Sequence, residues 1–271
     1  MDIDRRAFLA SVGGLAVVEA LDPEARAEAL EHYMMEKLDE EAGGLIIGGE
    51  AQVAAAAPDA SIRRGAGSLF GPQGPAENRR MAALAPMSDK PTLLEFFEKR
   101  FNPANHVLQS ATRALKTGMS EEITLACLLH DVVLNLVKVD HGWWGAQMLE
   151  PYVPEKVSWA IRYHQALRFY PDPANGYEYP ELYTRIFGKD YVPQPHIKAA
   201  YDYARNHKWY LEARMVTVND LYAFDPNAKV SIEPFIDIIG RHFKQPKEGL
   251  GNDGSPTAHM WRTMMFPDNP L

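Results

Sequence analysis

The chain has 271 residues, 46% hydrophobic and 24% charged, so it is long enough and apolar enough to bury a substantial core. A formal net charge of -8, without a basic stripe, argues against nucleic-acid binding, which depends on clustered Lys and Arg. The single Cys127 excludes an intrachain disulfide and a thiolate-rich zinc site. Any metal would therefore be held by His and carboxylate side chains.

The first residues resemble a bacterial twin-arginine export signal. The pair Arg5-Arg6 precedes a short apolar run over residues 10–21, which is too short for a standard membrane span. Glu19 interrupts the run, and an Ala-x-Ala sequence follows at residues 25–27. We expect residues 1–27 to direct export to the periplasm; the alternative is an amphipathic N-terminal helix of a cytoplasmic protein. No membrane span is expected elsewhere.

A polar helix rich in Ala and Glu is predicted over residues 22–38. Residues 42–87 then change character, being loaded with Gly, Ala and Pro and showing little periodicity, which is typical of a linker or an irregular arm. We therefore expect an N-terminal extension over residues 28–90, ahead of a strongly helical pattern that begins at Pro91.

Helix start and stop signals follow one another from Pro91. Asn102-Pro103 predicts the start of a helix that runs through Lys116 and ends at Gly118. Ser120 precedes two glutamates, which predicts an N-cap with acidic residues in the first helical turn.

Further helices are predicted to begin at Asp140 and Pro154. A Pro- and Tyr-rich loop over residues 170–195 is expected to precede one long helix from about residue 196 to residue 224. A last helix is expected near residues 232–243.

Strand-like alternation is scarce along the chain, so we predict an all-α fold. The core domain is expected over residues 91–245. The C-terminal tail, residues 246–271, contains Trp261 and the pair Met264-Met265. We expect this tail to fold back onto the domain or to mediate self-association, as in a homodimer.

The segment LACLLHDVVLNLVKVDHGWWGAQMLEP places His130 and Asp131 in apolar surroundings. A helix from Glu121 onward is apolar all round, which predicts burial. An unpaired buried carboxylate costs several kcal/mol, so it is neutralised, ion-paired or metal-bound. Adjacent helical residues point about 100° apart, so both side chains reach only something large between them. A metal centre meets that requirement.

A joint pattern strengthens this interpretation. One histidine on an apolar face is more often a core residue bonded to a carbonyl than a metal ligand. Here several ionisable side chains lie among apolar residues on five predicted helices, and inward side chains of a helical bundle converge on His and carboxylate metal sites. The candidate ligands are His106, His130, Asp131, His141, His164 and Asp220.

At these residues the sequence resembles the HD-domain superfamily, over roughly residues 93–226. HVLQSA, ACLLHD, HGWWGAQML and HQALRFY, at the four candidate histidines, are similar to the HD-type diiron oxygenases that cleave phosphonates. NDLYAFDP, at Asp220, is more similar to myo-inositol oxygenase. The resemblance implies an all-α HD-domain helical bundle with one or two metals.

The resemblance also implies which residues hold each iron. Iron 1 would be held by His106, His130, Asp131 and Asp220; iron 2 would be held by His141, His164 and the bridging Asp131. In that family a mixed-valent Fe(II)/Fe(III) pair uses O2 to remove a hydrogen from a substrate C–H bond, which leads to C–C or C–P cleavage. Mn, Co, Ni or Zn are the alternative metals.

The chain departs from its relatives at three positions. Leu134 and Phe224 stand where the inositol enzymes have lysines, which makes inositol a poor candidate substrate, and many HD phosphohydrolases share the first of these lysines. Arg168 stands where the phosphonate enzymes have a lysine, and Arg keeps an anion contact with forked geometry. The alternative for Arg168 is a surface arginine at a helix end.

The expected function is therefore a diiron oxygenase acting with O2 on a small organic substrate, anionic if Arg168 anchors it. We expect His130, Asp131 and Arg168 to take part in catalysis, and Arg168, Tyr163 and Tyr170 to contact substrate. The first alternative is an HD phosphohydrolase that uses a metal-bridging hydroxide on a phosphate ester or nucleotide. The second is a non-catalytic, metal-stabilised helical domain.

Several other residues attract attention but have simpler explanations. Cys127 is expected to be a small buried apolar residue. Of Trp143 and Trp144, one indole is expected to face the metal side and the other to pack on a neighbouring helix. Structural or exposed roles are expected for His32, His196, His207, His242 and His259.

Overall fold

The computed structural model describes residues 5–11, 15–21, 23–41, 85–101, 104–134, 136–137, 140–188 and 191–266. Within these ranges there is no β-strand, only an isolated antiparallel bridge between Asp172 and Tyr177. The predicted all-α fold is confirmed. Most of the predicted arm over residues 42–87, and the predicted helix start at Asn102-Pro103, lie outside the described residues.

The described residues contain thirteen α-helices. In chain order they are α1 Arg5–Ser11, α2 Leu15–Ala20, α3 Pro23–Glu41, α4 Leu93–Lys99, α5 Ala104–Lys116, α6 Glu121–Leu129, α7 His141–Leu149, α8 Glu155–Leu167, α9 Glu181–Phe187, α10 Pro195–Arg205, α11 Tyr210–Leu221, α12 Ile236–His242 and α13 Ala258–Met265. Short 3-10 helices lie at Pro173–Asn175 and Glu233–Phe235.

Local sequence signals explain several helix ends. The Thr92 side chain accepts a hydrogen bond from the backbone N–H of Glu95 at 3.1 Å and caps α4. Ser120 caps α6 in the same way, as predicted. Gly118 has a φ of 71°, the left-handed conformation that ends α5 at low cost only for glycine.

Helix α8 lies at the centre of the bundle and packs against α6, α7, α10 and α11. The main core extends to α13, because Trp261 is fully buried and meets the Phe96 ring edge-on at 5.3 Å. Helix α13 therefore folds back onto the bundle. A Trp→Ala change in such a position typically costs about 3–5 kcal/mol.

A second, smaller hydrophobic cluster joins the N-terminal helices to the bundle. Its buried members are Phe8, Val18, Ala27, Leu30, Tyr33, Phe169, Tyr183 and Ile197. These residues bring α1, α2 and α3 against α9, α10 and the end of α8, and α3 also packs against α5. None of the described helices combines the length and apolarity needed to cross a membrane.

The helix expected to carry His130 and Asp131 ends earlier than predicted, at Leu129. The Cys127 carbonyl accepts a hydrogen bond from His130 Nδ1 at 2.8 Å, and the backbone continues in three-residue turns, with Val132 N bonded to Leu129 O at 3.1 Å. The two side chains therefore diverge from a turn rather than from the middle of a helix.

The single long helix expected over residues 196–224 is wrong. Two helices, α10 and α11, are separated at residues 206–209. The His207 ring stacks on Trp159 at 4.3 Å, and its Nδ1 accepts from Trp209 N at 3.2 Å, so these tertiary and local contacts stabilise the break. The region expected to be a loop over residues 170–195 also contains α9.

Candidate metal centre

The six candidate ligands come together in the interior of the bundle. His106 comes from α5, His130 and Asp131 from the turn after α6, His141 from the first position of α7, His164 from α8 and Asp220 from α11. None is more than 5% exposed. Five parts of the chain separated in sequence thus place ionisable side chains in one buried volume.

The four histidine rings are oriented alike. Nδ1 of His106 lies 3.1 Å from the Ala223 carbonyl, Nδ1 of His130 lies 2.8 Å from that of Cys127, and Nδ1 of His164 lies 2.6 Å from that of Ile161. A carbonyl only accepts hydrogen bonds, so each of these Nδ1 atoms carries the proton and leaves the Nε2 lone pair free.

His141 follows the same rule with a different partner. Its Nδ1 lies 2.8 Å from Oε2 of Glu28, a carboxylate on α3. An ionised carboxylate is also only an acceptor, so His141 donates from Nδ1 and points Nε2 into the cluster. A hydrogen bond from the ring nitrogen that faces away from the metal fixes the ring orientation of metal-binding histidines.

Six of the inward-facing atoms have no hydrogen-bond partners among the described residues. They are Nε2 of His106, His130 and His164, both carboxylate oxygens of Asp131, and Oδ1 of Asp220. Buried polar atoms are nearly always satisfied, and a convergent set of unsatisfied lone pairs calls for a bound cation. Nitrogen and oxygen donors of this type suit first-row transition metals.

Asp131 lies between two groups of histidines. Its Oδ2 is 3.7 Å from Nε2 of His106 and 3.5 Å from Nε2 of His130, whereas its Oδ1 is 3.0 Å from Nε2 of His141. His164 lies near both sides, because its donor atom is within 4.8 Å of those of Asp131 and His141 and also of those of His130 and Asp220. One carboxylate therefore faces two donor sets, as a bridging ligand does.

Asp220 completes the first of these sets. Its Oδ1 is 2.9 Å from Nε2 of His106 and 3.7 Å from Nε2 of His130. The segment after it is fixed to α5, because the Gln109 side chain donates to the Asp225 carbonyl and accepts from the Asp225 N–H, each at 2.9 Å. The position of Asp220 relative to α5 is thereby defined.

The electrostatics of the cluster are strongly coupled. Burial opposes ionisation of Asp131, but the neighbouring His130 and His141 outweigh it and lower the pKa of Asp131. Burial likewise disfavours a charged His130, yet the carboxylates of Asp131 and Asp220 raise its pKa to about 9. Burial, together with His130 and His141, lowers the pKa of His164 to about 3. Protons and cations therefore compete for the same lone pairs.

The donor set fits a metal centre of one or two ions. His106, His130, Asp131 and Asp220 would hold one ion, and Asp131, His141 and His164 would hold the other. A bound transition metal supplies Lewis acidity or redox chemistry at such a site. The protein supplies a buried set of donors with its histidine tautomers already defined by their Nδ1 partners.

Three residues that the sequence analysis missed surround His141 and Arg168. Oε1 of Glu28 accepts from Nε2 of Gln165 and from Nη2 of Arg168, and Oε2 of Glu31 accepts from Nη1 of Arg168 at 2.5 Å. The only sequence signal was the spacing of Glu28 and Glu31, which puts two acids on one face of a helix.

Arg168 itself is 3% exposed and takes both of these carboxylates. Burial, opposed by Arg168, raises the pKa of Glu31 to about 7. The sequence analysis expected Arg168 to hold a substrate anion; in the structure its guanidinium already has two carboxylate partners. Its role as a substrate anchor stays a prediction.

A small cavity of about 40 Å³ reaches the centre at Asp220. Its walls are formed by Glu31, Met34, Arg168, Tyr177, Pro180, Leu182, Tyr183, Thr217, Asp220, Leu221 and Phe224. The predicted substrate contacts Tyr163 and Tyr170 are not among them. Tyr163 packs on Trp159 and Tyr203, and Tyr170 stacks on Tyr201 at 3.8 Å.

Two positions at which the chain differs from the families it resembles carry apolar side chains in the structure. Leu134 is buried, and the Phe224 ring stacks on that of His106 at 4.4 Å.

Trp143 and Trp144 are both about 40% exposed and contact each other edge-on, so the expectation that one indole faces the metal side is wrong. Cys127 is fully buried, as expected.

The fold and the cluster together define a class of protein: an all-helical bundle with a buried His and Asp site able to hold metal. No protein-family model matches the chain. A curated relative from Leisingera caerulea, 1-hydroxy-2-(trimethylamino)ethylphosphonate dioxygenase, described as glycine-betaine-forming, is 32% identical over 103 residues.

The similarity to this dioxygenase is partial. It covers 34% of this chain, and the chain spans about half the length, 50%, of the curated relative that it matches. The chain is thus similar to an oxygenase over part of its length, which is consistent with the resemblance to HD-domain diiron oxygenases.

Proposed function

We propose that this protein is a non-heme diiron oxygenase that uses O2 to oxidise or cleave a small organic substrate. One observation carries the proposal: six buried donor atoms from five side chains converge without hydrogen-bond partners among the described residues, and Nε2 of His141 lies 3.0 Å from Oδ1 of Asp131 in the same cluster. The partial similarity to a phosphonate dioxygenase supports oxygenase chemistry.

The residues of the chain have separate roles in this proposal. His106, His130, Asp131 and Asp220 hold one iron, and Asp131, His141 and His164 hold the other. Iron, when bound, supplies the redox chemistry with O2. The chain keeps water out by burial and admits substrate through the cavity at Asp220.

The surroundings of Arg168 bear on the choice of substrate. An anion that contacts Arg168 must share the guanidinium with Glu28 and Glu31. We therefore propose a small substrate that presents an anionic group to Arg168 and a cationic group to Glu31, rather than a simple dianion. Hydroxyphosphonates that also carry an ammonium group, such as the compound named for the relative, are the first substrates to test.

Leu134 favours the oxygenase over the phosphohydrolase. Many HD phosphohydrolases have a lysine at that place, and here a buried apolar side chain provides no cation there. The cavity at Asp220 favours a catalytic role over a purely structural metal site.

The test is metal analysis and EPR on anaerobically purified protein, followed by O2 uptake with a panel of hydroxyphosphonates. We expect two irons per chain, the EPR signal of a spin-coupled mixed-valent pair, and O2 consumption that matches product. His164→Ala should lose iron, whereas His259→Ala, at an exposed histidine on α13, should keep it. A single redox-inert metal with turnover of phosphate esters would establish the hydrolase instead.

Export by the twin-arginine route stays a proposal about the N-terminal residues. It suits a metalloenzyme, because that route carries folded proteins with their cofactors.

A further inference from the structure

His141 differs from the other three histidines of the cluster in its Nδ1 partner. Three rings use backbone carbonyls, whereas His141 uses the carboxylate of Glu28. A carboxylate is a stronger acceptor than a carbonyl, and the hydrogen bond it accepts from an imidazole is charge-assisted.

Glu28 is held in place at both of its oxygens. Oε2 accepts from His141, and Oε1 accepts from Gln165 and Arg168. Gln165 in turn accepts from the Gly142 N–H at 2.5 Å, directly beside His141. The carboxylate thus has no freedom to leave the imidazole while these contacts last.

Arg168 links this network to a second acid of the same helix. Its Nη1 donates to Glu31, so α3 is attached to the end of α8 by two buried ion pairs. Glu31 contacts the same arginine from one helical turn further along.

Glu28, Glu31 and His141 could themselves be read as a metal-binding group, since their donor atoms lie within 4.8 Å of one another. The contacts of Arg168 argue against that reading. Its guanidinium cation already occupies the space between the two carboxylates, and a second cation there would be repelled.

We infer that Glu28 is a positioning residue for the metal centre, which holds His141 in the tautomer and orientation that direct Nε2 at the metal. The inference rests on the proposed metal centre and extends it to α3, a helix outside the predicted HD domain. The carboxylate also makes the imidazole a better donor, so the ion bound by His141 and His164 is the one affected. Loss of such a contact typically lowers metal affinity about 10–100-fold.

The experiment uses the full-length chain with Zn(II) as a diamagnetic probe. Zn(II) affinities are measured by competition with a chromophoric chelator, and the imidazole N–H signals of ¹⁵N-histidine-labelled protein are recorded by NMR. We expect two Zn(II) per wild-type chain. Glu28→Ala should weaken one site about 10–100-fold and leave the other unchanged. Glu28→Gln keeps an acceptor, so it should lose less affinity and move one Nδ1–H signal upfield.

Two variants on the same helix serve as matched controls. Glu31→Gln weakens the attachment of α3 through Arg168 but keeps Glu28 as the Nδ1 partner of His141, so both Zn(II) affinities and the Nδ1–H signal of His141 should stay as in wild type. Glu36→Gln removes an acid on the exposed side, 54% exposed, and should change nothing.

The outcomes separate the two proposals. If Glu28→Ala binds both ions like wild type, or if Glu31→Gln causes the same loss, the inference is overturned and the metal centre stands. If Glu28→Ala does not fold, an unmoved Nδ1–H signal in Glu28→Gln overturns the inference. Wild-type protein that takes up no Zn(II) overturns the metal centre, and the inference with it.

Discussion

Gly142 follows His141 at the point where α7 meets α8. A Cβ at this position would lie 2.7 Å from the Ile161 carbonyl oxygen, 2.8 Å from Oε1 of Gln165 and 3.0 Å from Cε1 of His164. Two of these neighbours belong to the proposed centre or its surroundings, and one is backbone. The close approach of the two helices therefore depends on the absence of a side chain.

We expect Gly142→Ala to destabilise the fold by about 1–3 kcal/mol, because the backbone of α8 cannot move away cheaply. The same change should displace His164 and Gln165 and reduce metal content. Gly145→Ala is the matched control on the same helix, since its Cβ would find ordinary contacts, the nearest at 3.5 Å from Val132. Denaturant unfolding and metal analysis of both variants check this. Equal stability of the two variants would contradict it.

The sequence predicts a site residue best when the residues that reveal it are its neighbours in the chain. His130 and Asp131 stood out because an ionisable pair in an apolar run requires a partner. Glu28 did not stand out, because an acid in a polar helix is ordinary and its partner His141 lies 113 positions away. Long-range pairing of this kind leaves no signal in one sequence.

Helix α4 shows how an element gains stability from charges at its ends. Glu95, in its first turn, accepts from Ser88 N at 2.7 Å, from Ser88 Oγ at 2.6 Å and from Lys99 Nζ at 2.8 Å. Burial opposes ionisation, but these donors lower the pKa of Glu95 from 4.5 to about 2. An acid at this end of a helix also interacts favourably with the helix dipole.

A pKa lowered by folding gives stability that is complete above about pH 4.5 and is lost as the pH falls toward 2. We therefore expect Glu95→Gln to cost roughly 1 kcal/mol at neutral pH and progressively less in acid. Glu98→Gln, at an exposed acid of the same helix, is the control. Urea unfolding across this pH range measures both. A cost for Glu95→Gln that does not shrink in acid would refute the assignment.

The predicted elements failed where tertiary contacts decide the backbone. Ser120 and Gly118 marked helix ends correctly, because capping is local. The break at residues 206–209 depends instead on the His207 ring, which stacks on Trp159. The two rings come together only in the folded bundle.

At the scale of the whole molecule, the proposed centre lies between the two hydrophobic clusters. The main cluster fixes α5, α6, α8 and α11, which carry most of the candidate ligands, and the second cluster holds α3 over the end of α8. Neither cluster neutralises the carboxylates of Asp131 and Asp220, which lie among four histidines. In the absence of metal, protons on those histidines must supply the compensating charge.

Metal binding should therefore stabilise the entire fold. Binding to the native state alone adds about 4 kcal/mol when the free metal is a thousandfold above Kd, which is roughly 10 °C in Tm for a chain of this size. We expect a strong chelator to lower Tm by that order and re-added Fe(II) or Zn(II) to restore it, as followed by calorimetry. His106→Ala should show a smaller chelator-dependent shift, because it lacks one donor of the site. A wild-type Tm that is indifferent to chelator and metal would mean that the six side chains are compensated by protons alone, and the proposed centre would be lost.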